Sequence, residues 1–282
     1  MSNVITSISE LRAIVKSWKQ EGKSIGLVPT MGFLHEGHQS LMARAKTEND
    51  KIVVSIFVNP MQFGPKEDLA SYPRDLEQDL QRCDNEGVDV IFHPEASEMY
   101  GIDFSSSVDV TGLTEELCGK SRPGHFKGVC TVVSKLFNIV QADRAYFGQK
   151  DAQQLAVIRR MVCDMNIDVE VVGCPIVREE DGLAKSSRNS YLSPEQRRAA
   201  VCLYRALQLG QTLVLEGERD SLTVLARLKN DIEREPLAKV DYISLVDADS
   251  LRPIEYVEGR VLCALAVYIG RTRLIDNCTL SV

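Results

Sequence analysis

Leu11, Ile14, Val15 and Trp18 recur at helical spacing behind the S-x-x-E capping box Ser7 to Glu10, so a first helix is expected up to Gly22. Ile25 to Val28 then suit a short strand, Pro29 and Gly32 a turn, and Gly37 to Ala45 a helix. Ile52 to Val58 is almost wholly apolar and β-branched, the pattern of a strand covered on both faces, and it ends in the loop Asn59 to Gly64. A helical stretch from Arg74 to Glu86 leads to a strand over Val88 to Phe92. Asp103 to Thr111 reads as an edge strand and Ser121 to His125 as a loop. Val129, Val132, Val133, Leu136, Phe137 and Val140 mark one helix face. Arg144 to Asp151 reads as a strand turning into a helix that runs to about Asp164, and Val169 to Ile176 as another strand. Strands alternating with helices predict an α/β fold: a Rossmann-like, doubly wound, mostly parallel sheet.

The pattern changes after Pro175. Glu179 to Gly182 is an acidic turn, and Ser193-Pro194 forms an N-cap and N1 pair opening a helix towards Leu215. A helix over Leu222 to Glu233 precedes strands at Val240 to Val246 and Val261 to Ile269. The expected division is a Rossmann-like domain over residues 1–176 and a smaller α+β domain over 177–282.

Composition narrows the function without choosing it. The 282 residues carry 44% hydrophobic and 26% charged side chains, which is ordinary for a globular protein, and a formal net charge of -7, which argues against a nucleic-acid binder. Eight scattered cysteines show no C-x-x-C pair and read as buried free thiols. No basic segment followed by an apolar run opens the chain, and the longest apolar run, Val261 to Ile269, is half a membrane span. A reducing cytoplasm and no membrane partner are the expectation.

The chemistry concentrates in Val28-Pro29-Thr30-Met31-Gly32-Phe33-Leu34-His35-Glu36-Gly37-His38. Two imidazoles three positions apart in a first helical turn face the same way, beyond the carboxyl end of a strand, where free helix N–H groups attract phosphate. The zinc-protease motif H-E-x-x-H needs a different spacing, and no Walker sequence G-x-x-x-x-G-K-[ST] occurs. Asn59 to Gly64, Gly148 to Asp151 and Lys185 to Arg188 are three further loops. The first two follow predicted strands and share the sheet edge with the histidines, while the last comes from the domain junction. Together the loops offer His35, His38, Lys150, Arg188 and the hydroxyls of Ser186 and Ser187, a polyphosphate-binding set. Each element also has a plainer reading. The histidines would then only cap a turn, Lys150 and Asp151 form a solvated charge pair, Lys185 to Arg188 an ordinary polar loop, and Gln62 and Gln154 surface amides. Asn59 would be a turn residue before Pro60, His125 is as structural as it is functional, and His93 reads as structural.

The blocks VPTMGFLHEGH (28–38), VSIFVNPMQFG (54–64), SRPGHFKGV (121–129), FGQKDAQQL (147–155), DGLAKSSRNSYL (181–192) and RLIDN (273–277) occur in one order over nearly the whole chain. In these the sequence resembles the pantothenate synthetase (pantoate–β-alanine ligase) family of H-x-G-H nucleotidyltransferases. The resemblance implies ATP-dependent condensation of (R)-pantoate with β-alanine through a pantoyl adenylate, releasing pyrophosphate and then AMP. It implies that His35 and His38 hold the ATP phosphates, with His38 as proton donor, and that Met31, Gly32 and Gly37 line the nucleotide site. Gln62 and Gln154 would bind pantoate, with Asn59 and Met31 shaping that site, which also admits β-alanine. Gly148, Gln149, Lys150 and Asp151 would bind nucleotide, Val177 would touch adenine, and Lys185, Ser186, Ser187 and Arg188 would close on the phosphates. Lys150 and Arg188 join the histidines as catalytic residues. Magnesium would bridge phosphate oxygens with few protein ligands, and a homodimer is implied. The departures from the family's pattern are Ala152 at a position often aromatic, Gln149 where Glu is frequent and Lys185 where an apolar residue is usual. A plain nucleotidyltransferase and a catalytically silent nucleotide-binding module are the rival readings.

Overall fold

The computed structural model describes residues 2–65 and 67–281. In chain order the elements are β1 (Asn3–Ile5), α1 (Ile8–Gln20), β2 (Ile25–Thr30), α2 (Glu36–Glu48), β3 (Lys51–Ile56), α3 (Leu76–Asn85), β4 (Val90–Phe92), α4 (Ala96–Met99), α5 (Leu117–Ser121), α6 (His125–Val140), β5 (Arg144–Gly148), α7 (Ala152–Asp164) and β6 (Glu170–Cys174), then α8 (Pro194–Ala199), α9 (Cys202–Leu215), α10 (Ser221–Ile232), β7 (Ala238–Asp247), β8 (Arg260–Ile269) and β9 (Thr272–Ser281). Two compact units emerge. One comprises Met1–Thr111, Arg122–Gln149 and Gln154–Pro175, and the other Gly112–Ser121, Lys150–Gln153 and Ile176–Val282.

The first unit is a six-stranded sheet in the order β1-β4-β3-β2-β5-β6, and every pairing in it is parallel. Parallel strands need crossovers, which the alternating helices supply, and both faces must then be covered. Ile52, Val53, Val54, Ile91 and Phe92 accordingly expose 0% of their surface. Helix α2 buries Leu41, Met42 and Ala45. Strand order reverses at β2: β3, β4 and β1 lie to one side, β5 and β6 to the other. The carboxyl ends of β2 and β5 therefore form a topological switch point, where open α/β sheets bind ligands.

The edge beyond β4 belongs to β1, not to residues 103–111. Asn3 donates to the Asp89 carbonyl and His93 to the Ile5 carbonyl, so the three residues Asn3–Ile5 occupy that edge. Residues 103–111 form no strand. Their backbone turns instead to α6, where Thr131 Oγ1 accepts from Val108 N at 3.0 Å. Helix α6 also starts earlier than its apolar stripe suggests: His125 is its first residue, behind the left-handed Gly124.

The second unit is the antiparallel sheet β7-β8-β9 with α9 and α10 packed on it. Leu203, Leu207, Val224, Leu228, Cys263 and Leu265 belong to its core. Strand β9 lies outside the two strands expected there. It alternates inward Thr272, Leu274 and Leu280 with outward residues, but places Asp276 inward, which breaks the apolar pattern. The helix expected from Ser193 to Leu215 is divided. Val201 N bonds the Arg198 carbonyl and Leu203 N the Ala200 carbonyl, a local three-residue step that separates α8 from α9 while the backbone remains right-handed. The cysteines are free thiols, six of them buried, with Cys163 exposed and Cys278 half-buried. Among the described residues no helix is long and apolar enough to cross a membrane.

Candidate active site

Leaving β2, the chain must turn sharply to start α2, and a buried carboxylate fixes that turn. Thr30 Oγ1 donates to the Ser55 carbonyl at 2.7 Å and accepts from Gly32 N at 3.2 Å. Gly32 takes φ +81°, and a Cβ there would lie 2.9 Å from Asp79 Oδ2, so glycine serves both the conformation and the close approach. Asp79, on α3, accepts from Phe33 N at 2.8 Å and Leu34 N at 2.6 Å. Burial pushes its carboxyl above the usual range, and the two N–H donors offset part of that cost. Asp79 was not among the residues expected from the sequence. Its one local sign is an acid on the same helix face as buried Cys83.

The histidines do cap the helix, and the cap is what orients them. His35 is the N-cap of α2, with Nδ1 accepting from Gly37 N at 3.1 Å. His38 Nδ1 accepts from His35 N at 3.2 Å, so the pair forms a reciprocal capping box. Their ring centroids are 4.1 Å apart. With both Nδ1 atoms accepting, each neutral ring carries its proton on Nε2, and two N–H donors come from one turn at the helix N-terminus. The plainer reading and the functional one thus describe the same contacts.

Beside this turn lies the loop after β3. Asn59, 1% exposed, has both ends of its side-chain amide satisfied. Its Oδ1 accepts from Met61 N at 3.2 Å and the Tyr100 hydroxyl at 2.7 Å, and its Nδ2 donates to Gln62 Oε1 and the Gly128 carbonyl, each at 3.1 Å. Burial raises the Tyr100 phenol, which keeps it a donor. The Gln62 amide, fixed by Asn59 at its oxygen, donates from Nε2 to Met31 Sδ at 3.1 Å. Met31, Asn59 and Gln62 are therefore brought together as the sequence suggested. A Cβ at Gly128 would overlap the Met61 carbonyl, so only glycine lets α6 approach this loop so closely.

His125 is drawn into the same loop. Its Nε2 faces Arg122 Nη1 at 3.0 Å and its Nδ1 faces the Gln62 carbonyl at 2.8 Å. A guanidinium can only donate, so Nε2 accepts and the Nδ1 proton goes to Gln62. Arg122 in turn holds Glu67 in a bidentate pair, at 2.7 and 2.6 Å. His93 behaves as expected of a structural histidine, with Nδ1 2.7 Å from the Ile56 carbonyl. Gly148 ends β5, Gln149 is exposed in a 3-10 turn, and Gln154 is half-buried in the first turn of α7.

The remaining candidates belong to the second unit. Lys150 Nζ stands 3.9 Å from Asp151 Oδ2, a loose pair, and the Lys150 carbonyl accepts from Asn277 Nδ2 at 2.9 Å. The half-buried Val177 accepts at its carbonyl from Lys185 N at 2.9 Å. Lys185 pairs with Glu179 at 2.8 Å, a partner the sequence did not suggest. Ser186 caps a 3-10 turn over Ser187–Tyr191, accepting from Arg188 N at 3.3 Å, and Ser187 is buried. Among the described residues no group of three or more His, Cys, Asp or Glu side chains could hold a metal ion.

The family model for pantoate-beta-alanine ligase matches residues 3–279. The chain belongs to the pantoate–β-alanine ligase family. A relative named pantothenate synthetase, from Enterococcus faecalis, is 59% identical over 276 residues and covers 98% of both chains. A pantothenate synthetase crystal structure from Thermus thermophilus superposes with TM-score 0.93 at 46% identity, over 98% of each chain. A pantoate-beta-alanine ligase from Francisella tularensis, complexed with beta-gamma ATP and beta-alanine, superposes with TM-score 0.84 at 36% identity, over 99% of this chain and 97% of that one. In this pantoate–β-alanine ligase family member, the blocks that carried the resemblance fall on β2 with its turn into α2, on the loop after β3, on the start of α6, on the end of β5, on the capped turn before α8, and on β9.

Proposed function

We propose that this chain condenses (R)-pantoate with β-alanine at the expense of ATP. The pantoate carboxylate oxygen attacks the α-phosphorus, the bond from that phosphorus to the bridging oxygen breaks, and pyrophosphate leaves. The β-alanine amine then attacks the acyl carbon of the pantoyl adenylate and AMP leaves. The substrate supplies the nucleophile, so the protein must align the reactants and stabilise negative charge. The observation that carries this reading is the H-x-G-H turn, where two ring Nδ1 atoms are occupied by backbone N–H groups and two Nε2–H donors issue from a helix N-terminus. Family membership and the relative complexed with beta-gamma ATP and beta-alanine support it.

His35 and His38 bind the phosphates through Nε2, each neutral ring donating its Nε2–H as a hydrogen bond. Met31, Gly32 and Gly37 line the nucleotide, while Gln62 and Gln154 hold the pantoate hydroxyls with Asn59 fixing Gln62. Gly148, Gln149, Lys150 and Asp151 bind nucleotide, and Val177 touches adenine. Ser186, Ser187 and Arg188 close on the β- and γ-phosphates, with Lys185, shared with Glu179, behind them. Magnesium would enter with the nucleotide as part of the substrate, with few protein ligands. Residues 1–176 make up the nucleotide- and pantoate-binding domain and residues 177–282 the smaller lid domain. The working form is a cytoplasmic homodimer.

Exchange of labelled pyrophosphate into ATP tests the activity. Exchange is expected only when pantoate is present, and adding β-alanine should convert it to net AMP and pantothenate. Exchange indifferent to pantoate would return the chain to the plain nucleotidyltransferases. ATP binding without AMP formation would make it a silent module.

A further inference from the structure

The motif R-L-I-D-N, residues 273–277, carried part of the family resemblance, but only Asn277 has entered the site described so far, through its bond to the Lys150 carbonyl. In the structure it lies on β9, paired without interruption to β8, with Leu265 opposite Asp276 and Ala264 opposite Asn277. Asp276 is 2% exposed and Asn277 7%. A buried aspartate in an inward strand position is costly unless it is paired. Arg178 pairs it with both arms of its fork, Nη1 to Oδ2 at 2.6 Å and Nη2 to Oδ1 at 3.0 Å. Asn277 N adds a third bond to Asp276 Oδ1 at 2.8 Å.

Arg178 carries this anchor into the loop that bears the proposed phosphate-binding residues. Its Nη1 also donates to the Gly182 carbonyl at 2.9 Å, and its guanidinium stacks 4.6 Å from the centre of the Tyr204 ring. Around it Val177 to Lys185 double back on themselves. Arg178 bridges Ala184, Glu179 N bonds the Leu183 carbonyl at 2.8 Å, and Lys185 N bonds the Val177 carbonyl at 2.9 Å. The chain leaves this tight turn directly into Ser186, Ser187 and Arg188. The neighbouring Asn277 meanwhile donates to the Lys150 carbonyl at 2.9 Å. Two adjacent residues of one paired strand thus hold two separate cation-bearing segments that are distant in sequence. Arg178 lies 98 positions before Asp276, and Lys150 lies 127 before Asn277.

We propose that Asp276 and Asn277 are positioning residues for ATP. Asp276 sets the Ser186–Arg188 segment through Arg178, and Asn277 sets Lys150 through its backbone carbonyl. An ion pair kept only for stability is replaceable by well-packed apolar residues, often at no loss. This one instead fixes the loop that carries the phosphate ligands. The proposal rests on the adenylation reading above.

The test compares wild type with Asp276→Asn, which breaks the matched fork, and Asn277→Ala, which removes the donor to Lys150 without adding charge. Both are expected to raise KM for ATP and to slow pantoate-dependent pyrophosphate exchange about 10- to 100-fold, the range for a displaced catalytic group. Attack of β-alanine on preformed pantoyl adenylate needs no β- or γ-phosphate, so in Asp276→Asn its rate should stay within about twofold of wild type. Wild type without pantoate-dependent exchange would overturn the adenylation reading itself, and this proposal with it. Wild type that exchanges, beside variants with unchanged KM for ATP and unchanged rate, would overturn the positioning role alone. So would equal loss of both half-reactions in Asp276→Asn, or loss of the fold in both variants by circular dichroism, since either result assigns a structural part only.

Discussion

His38→Ala should lose adenylate formation by about 100- to 1,000-fold, because it removes a preorganised donor to the phosphates at the helix N-terminus. The fold should survive. His38 contributes a capping contact, from Nδ1 to His35 N at 3.2 Å, and loss of a cap costs about 0.5–2 kcal/mol. That is a modest part of the roughly 5–15 kcal/mol that holds a domain together. His38→Asn separates the two jobs. Its side-chain oxygen can accept near the position of Nδ1 and restore the cap, but nothing replaces Nε2–H. Stability should return towards wild type in denaturant unfolding while pantoate-dependent exchange stays lost. Unchanged turnover in His38→Ala would remove the histidine from the mechanism.

Lys150→Ala should cost at least about 100-fold in adenylation, by analogy with removing one donor from an oxyanion site. The structure separates this effect from stability. Nζ of the half-buried Lys150 meets the more exposed Asp151 at 3.9 Å, and a pair held so loosely is worth about 0–1 kcal/mol. The backbone of Lys150 is held independently of its side chain, by Asn277. Thermal unfolding of the variant should therefore match wild type closely while exchange falls. A parallel loss of rate and stability would make Lys150 a structural residue.

The parts of the fold that were legible are those where local chemistry and periodicity agree. Strands β2 and β3 are buried on both faces and read as apolar runs, and the H-x-G-H turn combines strand, punctuation and helix start within residues 28–38. What stayed hidden depends on contacts distant in the chain. Asp79 reaches Phe33 across 46 positions, and His125 reaches Gln62 across 63, so no local pattern names either partner. Strand β1 has three residues and forms because β4 offers an open edge. Residues 103–111 alternate as a strand would, but the edge they would use is taken. Strand β9 was obscured by the inward Asp276, whose partner Arg178 lies 98 positions earlier. Asp79 and Asp276 share one cause: a carboxylate buried in the fold makes sense only beside donors that the chain supplies from elsewhere.

The proposed function requires that pantoate's own carboxylate attack the α-phosphorus, with the protein aligning the reactants and neutralising charge. Its most direct test is the fate of oxygen from pantoate labelled with ¹⁸O in the carboxylate. In the complete reaction with ATP and β-alanine, one labelled oxygen should pass to AMP and the other stay in the amide product. AMP without label, or label in pyrophosphate or inorganic phosphate, would contradict it.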